Sequence, residues 1–166
     1  MPQKRITVQI RLRPYLKAFI ISIYGQEPVF FPKRDRFNDL LQLLLTKPPA
    51  DHIQPHPDKS KLEVVLPYFE NLNILYNHYL SDKAQKAFEE RVKKRFWVIY
   101  DDFMDECLRK DLTRSTAISL FIEKYQLPYD SKIEDMLRKA IYRSVKIQTK
   151  YPKRQYNHKS RKKHVR

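Results

Sequence analysis

The chain has 166 residues, of which 34 are Lys or Arg and 19 are Asp or Glu, for a formal net charge of +15; glycine and cysteine occur once each. One glycine excludes a P-loop, a dinucleotide-binding glycine fingerprint and a kinase-type glycine lid, each of which needs several positions where backbone approaches phosphate closely, and one cysteine excludes an intrachain disulfide or a multi-cysteine zinc cluster. The length suits one domain, a hydrophobic fraction of 42% supplies a core, and the charge favours a polyanionic partner, nucleic acid before an anionic membrane.

Residues 5–13 alternate, with Ile6, Val8, Ile10 and Leu12 on one side and Thr7, Gln9, Arg11 and Arg13 on the other. Period two with β-branched content predicts a strand. Pro14 suits a first helical turn. Leu16, Phe19, Ile20 and Ile23 then recur at helical spacing, so a helix is expected over 14–24 with Gly25 as its left-handed stop. Residues 29–31, within EPVFFP, predict a short edge strand with prolines at its ends, where missing donors are tolerated. Asp35 caps the next helix, whose apolar stripe is Phe37, Leu40, Leu41 and Leu44. Residues 48–61 contain four prolines and two histidines and read as a loop. Residues 62–66 (LEVVL) form a third strand, and the aromatic stretch 69–79 is expected to be helical.

Ser81 or Asp82 caps a long helix over 83–109, with Ala84, Ala87, Phe88, Val92, Phe96, Ile99, Phe103 and Cys107 inward. Thr113 or Ser115 opens another helix, which carries Ala117, Ile118, Phe121, Ile122 and Tyr125 and is ended by Pro128. Asp130 or Ser131 caps a last one through about residue 148, with Ile133, Met136, Leu137, Ala140, Ile141 and Val145 inward. The expected fold class is α+β, mainly α: a small N-terminal antiparallel sheet of about three strands packed with helices, a helical C-terminal half and a disordered basic tail. The segments are 1–47 (strand-helix-strand-helix), the Pro-rich loop 48–61, the strand and helical region 62–149, and the tail 150–166.

Charge is concentrated at the ends. Residues 146–166 carry nine Lys/Arg and no acid, +9 of the total; residues 1–145 hold the other 25 basic residues and all 19 acids, a net of +6. The first 26 residues also lack acids. The middle therefore reads as a nearly charge-balanced scaffold. Residues 151–166 have little apolar content and no helical periodicity, which predicts a disordered basic arm.

Residues 113–146 hold the most informative pattern. Ala117, Phe121, Tyr125 and Leu127 are spaced as a helix followed by a turn, where a small residue permits close helix crossing and a Tyr-x-Leu pair closes the turn. The next helix, 132–146, carries Arg138, Lys139, Tyr142, Arg143 and Lys146 along one side or its flanks. This run resembles helix-turn-helix DNA-binding proteins, including regulators of phages and mobile elements. The resemblance implies a second helix docked in a major groove, its arginines reaching guanine edges or phosphates, in a role such as transcription regulation. The chain departs from the pattern in lacking a turn glycine and in starting the reading helix with Glu134 and Asp135. The N-terminal strand followed by helices is also similar to ribbon-helix-helix proteins, where a dimer's two-stranded ribbon lies in the major groove; Thr7, Gln9 and Arg11 would then read bases. Because 25–34 intervenes and contains a strand, an intramolecular sheet backed by the first two helices is the simpler expectation.

Neither a catalytic set nor a metal-ligating set stands out, and no cofactor is expected. Asp101, Asp102, Asp105 and Glu106 are read as a solvated helix end with i,i+4 pairs from Asp105 to Arg109 and from Glu106 to Lys110, which leaves a metal-dependent nuclease as the enzymatic alternative. Pro55 and Pro57 break the helix that would align His52 with His56, and His78, His158 and His164 have no partner set. Cys107 reads as a small buried residue. The apolar runs fall far short of the ~20 residues a membrane span needs and no signal peptide is recognised, so a cytoplasmic protein without membrane contact is expected.

The functional expectation is a non-catalytic nucleic-acid-binding protein, with duplex DNA favoured. Lys4, Arg5, Arg11 and Arg13, and Lys150, Lys153, Arg154, Arg161, Lys162 and Lys163 of the tail, would neutralise phosphates; about six such contacts give a log-log salt slope near −5. Tyr151 and Tyr156, interleaved with those cations, would stack on unpaired bases. The alternatives are an assembly protein of a phage or mobile-element complex, whose arm contacts acidic protein or packaged nucleic acid, and an RNA-binding protein. A homodimer or an assembly partner is compatible with each.

Overall fold

The computed structural model describes residues 6–51 and 58–150, with side chains through residue 142. In chain order the elements are β1 (Thr7–Ile10), α1 (Pro14–Tyr24), β2 (Val29–Phe30), α2 (Arg36–Leu44), β3 (Leu62–Val65), α3 (Asp82–Arg109), α4 (Arg114–Lys124) and α5 (Ser131–Lys150). The architecture is α+β and mainly α, as the periodicities predict.

β3 is the central strand of the sheet, in the order β1-β3-β2. β1 runs antiparallel to it, with Thr7 opposite Val65 and Ile10 opposite Leu62. β2 runs parallel to it, with Val29 opposite Val64, so the sheet is mixed where a wholly antiparallel one was expected. The reason is the crossover: α2 and the following loop separate β2 from β3, and such a connection returns the strand in the same direction. β1 pairs with β3 of its own chain, the intramolecular sheet expected from the strand within 25–34. Just beyond it, the amides of Arg11 and Arg13 donate to Gln85 Oε1 (3.1 Å) and Glu89 Oε1 (3.2 Å) of α3.

Local chemistry explains the helix boundaries. Pro14 opens α1. Gly25 closes it with φ 93° and ψ −172°, a region that essentially only glycine occupies. Each later helix has a side-chain cap: Asp35 accepts from the Phe37 amide at 2.8 Å, Ser81 from Ala84 at 3.2 Å, Thr113 from Thr116 at 3.2 Å, and Asp130 from Lys132 at 3.0 Å. These bonds satisfy donors that a helix start leaves orphaned. α3 and α4 end alike, with Asp111 at φ 58° and Gln126 at φ 49° in the left-handed position that glycine usually fills.

Residues 69–79 do not form the expected helix. Asn73 Oδ1 accepts from the Leu75 amide at 3.0 Å and the Asn73 carbonyl accepts from the Asn77 amide at 2.9 Å. Thr46 and Tyr79 exchange backbone hydrogen bonds of 2.9 and 3.0 Å. Asn71, Asn73 and Asn77 offer the backbone local partners that compete with a helical ladder, and aromatic spacing alone does not register that competition.

α3 organises the core, with α1, α2 and α4 packed against it. Its buried residues Ala84, Phe88, Val92, Phe96, Tyr100 and Met104 follow in steps of four. Each such step overshoots a full turn by about 40°, so the buried stripe winds around the helix and meets different neighbours along its length. Phe88 lies 5.5 Å from Phe37 and 6.1 Å from Phe31. Phe96 contacts Tyr15, Phe19 and Phe121 at 5.2, 5.1 and 5.6 Å. Tyr100 lies 4.9 Å from Phe121 and donates its hydroxyl proton to the Leu137 carbonyl of α5 at 2.9 Å. The winding also corrects the expected stripe: Ala87 is exposed and Ile99 and Phe103 are only partly buried, while Tyr100 and Met104 are buried. Edge-to-face ring pairs of this kind add about 0.5–1.5 kcal/mol each beyond area burial. The buried cluster runs from Val8 to Ile141, spanning both sides of the loop 48–61, and includes Cys107. Among the described residues, no helix is long and apolar enough to cross a membrane.

Candidate nucleic-acid interface

The middle of α3 reads RVKKR over 91–95. Val92 and Phe96 are buried, which turns Arg91, Lys93, Lys94 and Arg95 away from the core and onto two flanks. A groove lies along each.

The groove between α2 and α3 has a volume of about 530 Å³ and is lined by Arg34, Arg36, Arg91, Lys94 and Arg95 together with Phe37, Val98 and Ile99, with Asp35 the one acid among the described residues. Arg95 is held in place: its Nη1 is 3.5 Å from Asp35 Oδ2, and its guanidinium lies 5.3 Å from the Phe37 ring and 5.9 Å from the Tyr24 ring. Asp35 also caps α2 and accepts the Tyr24 hydroxyl at 2.6 Å. Burial first, then this hydrogen bond, pushes the Tyr24 hydroxyl well above its ordinary pKa. Asp35 is thus committed to structure. Arg34, Arg36, Arg91 and Lys94 make no ion pair among the described residues.

The groove between α3 and α5 has a volume of about 630 Å³. α3 contributes Lys93, Trp97 and Asp101; α5 contributes Lys132, Asp135, Met136, Lys139 and Ala140; Arg13 and Tyr15 enter from the start of α1. Arg13 and Lys93 lean on Glu89 and Glu90, each at 3.5 Å, in solvent-screened pairs of little energetic weight. Lys132 and Lys139 make no ion pair among the described residues. The Asp101 carboxyl is held above the usual carboxylate range, by burial first and then by Asp105 and Asp102. The Tyr15 hydroxyl is buried with no hydrogen-bond partner among the described residues.

Of the residues expected from sequence, Arg13 and Lys139 meet in this second groove. Arg138 is tied to Glu134 at 2.6 Å, so one acid of the pair that departs from the helix-turn-helix pattern is neutralised within its own helix. Tyr142 is exposed. Arg11 lines a charge-balanced cleft with Asp82, Lys86 and Glu89. Thr7 and Gln9 are half-buried in β1, and Gln9 Oε1 is buried without a partner among the described residues. Lys4 and Arg5, the histidines His52 and His56, and the arm with Tyr151, Lys153, Arg154, Tyr156, Arg161, Lys162 and Lys163 lie outside the described residues. α5 runs to Lys150, and the side chains of Arg143, Lys146 and Lys150 lie outside them as well.

The joint between α4 and α5 closes as expected with one substitution. Gln126 donates to the Glu123 carbonyl at 3.1 Å and Leu127 to the Ile122 carbonyl at 3.0 Å, the paired bonds of a Schellman turn. Gln126 takes the glycine position, Leu127 is buried, and the Tyr125 ring packs 4.7 Å from Phe121. The connection spans residues 125–130, longer than the roughly 3–4 residues of a helix-turn-helix turn.

Sequence reasoning missed Arg34, Arg36, Arg91, Lys93, Lys94, Trp97 and Lys132. A usable signal was present: α3 separates RVKKR from the acids at 101–106, and a net charge summed over residues 1–145 cancels the two. At the acidic end, Glu106 pairs with Lys110 at 2.6 Å as expected, but Arg109 Nε donates to the Asp105 backbone carbonyl at 3.2 Å, not to its carboxylate. Among the described residues, no cluster of His, Cys, Asp or Glu has metal-binding geometry. Compared with protein-family models, curated proteins and solved structures, the chain matches none.

Proposed function

We propose that the protein binds nucleic acid without catalysing a reaction on it, gripping phosphates along the flank of α3. One observation carries this reading: Arg34, Arg36, Arg91 and Lys94 line a common groove whose only acid among the described residues, Asp35, is already committed to structural contacts. Unpaired like charges in one concavity repel each other and focus positive potential, an arrangement suited to a polyanion. A row of phosphates relieves the repulsion and gains further from counterion release. The acid-free N-terminal region and the basic arm at 151–166 add sequence-independent contacts. Arg138 of α5 has Glu134 beside it in an exposed pair, whereas Arg34, Arg36, Arg91 and Lys94 have no acidic partner among the described residues.

The test is a fluorescence-anisotropy titration of labelled oligonucleotides with the full chain, using duplex DNA, single-stranded DNA and RNA in competition. A variant with Arg34→Gln, Arg36→Gln, Arg91→Gln and Lys94→Gln loses four contacts. At about 0.1 M salt each single-strand contact is worth about fivefold, so the loss is on the order of 10²–10³-fold. Removing 151–166 separates this reading from an assembly protein that binds only through its arm: the truncated chain still binds and still responds to the groove substitutions. No binding at low salt, or binding indifferent to the four substitutions, contradicts the proposal.

A further inference from the structure

The two grooves differ in chemistry. In the α2–α3 groove five cations and one committed acid stand beside Phe37, Val98 and Ile99, whereas the α3–α5 groove sets an indole and two carboxylates beside its cations. A phosphate alone does not call for that mixture, and the carboxylates of Asp101 and Asp135 would repel it. A nucleotide does call for it, since it carries a phosphate, a flat apolar ring and polar N–H edges together.

We infer that the α3–α5 groove takes one unstacked nucleotide, its phosphate held by Lys132 and Lys139 and its base laid against Trp97. The inference rests on the nucleic-acid reading above and narrows it to an unpaired unit. Trp97 is held from beneath by Phe96 and Tyr100, at 5.2 and 5.6 Å and near 80° to each, so its ring is oriented before any ligand arrives. Met136 and Ala140 of α5 line the same groove and supply apolar surface for a base. Base–aromatic stacking is sequence-tolerant because every base has a π-face. Asp101 and Asp135 accept from the N–H groups of a base edge, as carboxylates do when they read bases. Tyr15, 7% exposed, closes one end of the groove.

Trp97 is the only tryptophan in the chain, so its emission reports on this groove alone. The full chain is titrated with a single-stranded oligo(dT), the corresponding dA·dT duplex, dTMP and inorganic tripolyphosphate, while anisotropy of labelled DNA reports total binding in parallel. The expected result is saturable quenching of Trp97 by the single strand and by dTMP, with none from tripolyphosphate and little from the duplex. Comparable affinity for dTMP and oligo(dT) identifies a free nucleotide as the occupant; much tighter binding of the oligomer identifies a strand. The double variant Lys132→Ala/Lys139→Ala raises the midpoint of quenching about tenfold while leaving the fold, read by circular dichroism, unchanged. Anisotropy showing binding with Trp97 emission unmoved overturns the inference and leaves the phosphate-grip reading standing. Equal quenching by tripolyphosphate or stronger quenching by the duplex also overturns it. Absence of binding in every arm removes both.

Discussion

Asp35→Ala tests how the α2–α3 groove is held together, because one carboxylate serves three partners. Losing the α2 cap costs about 1 kcal/mol. The half-buried Tyr24 hydroxyl loses a charged acceptor at 2.6 Å, worth about 1–2 kcal/mol. The Arg95 contact is long, at 3.5 Å, and the arginine side chain is 37% exposed, so solvent screening limits it to about 0.5 kcal/mol or less. The sum is about 2–3 kcal/mol, which for a chain of this size lowers Tm by roughly 5–10 °C. Urea and thermal unfolding followed by circular dichroism measure it, with Tyr24→Phe completing a double-mutant cycle whose coupling is about 1 kcal/mol. Anion binding moves the opposite way, since Arg95 is released into the groove as a further unpaired cation. A variant within 0.5 kcal/mol of the parent, or a Tyr24→Phe cost that is the same with and without Asp35, refutes the assignment of Asp35 as the organising residue.

Other outcomes follow from the same contacts. Gln126→Gly removes a left-handed penalty at φ 49° and stabilises by about 1 kcal/mol, whereas Gly25→Ala destabilises by about 1–3 kcal/mol although nothing lies within 4 Å of the added Cβ; denaturant midpoints distinguish strain from crowding here. Burial holds the Tyr24 and Tyr100 hydroxyls above their ordinary pKa of 10.0, so the unfolded chain ionises first. Their contribution is complete below pH 10 and is lost as pH rises beyond it, and Tyr24→Phe or Tyr100→Phe reduces that alkaline loss in urea titrations at pH 8 and 11. Asp101, held above the usual carboxylate range, opposes folding once ionised. Stability therefore falls as pH rises through the titration of Asp101, and Asp101→Asn removes that fall in urea midpoints measured between acid and neutral pH.

Local signals carried most of the fold. Pro14, Gly25, Asp35, Ser81, Thr113 and Asp130 mark helix boundaries through single-residue chemistry that needs no tertiary context. The stretch 69–79 escaped because its asparagines act through specific hydrogen bonds that hydrophobic spacing does not register. The inward positions of α3 were partly misassigned because a stripe in steps of four rotates along the helix, and Tyr100 is buried where Phe121 of α4 and Leu137 of α5 meet it. The site was harder still. Arg95 and Asp35 stand 60 residues apart in the chain, and the basic surface exists only because α2 lies along α3. Summed charge hid it, since the acids at the C-terminal end of the same helix offset the cations at its middle.

The most direct test of the phosphate grip is the salt dependence of single-strand binding by the full chain and by the variant carrying Arg34→Gln, Arg36→Gln, Arg91→Gln and Lys94→Gln. Each lost phosphate contact shortens the log-log slope by about 0.7, so the account predicts a slope shallower by about 3 in the variant. Equal slopes for the two proteins would place the phosphate contacts elsewhere and contradict it.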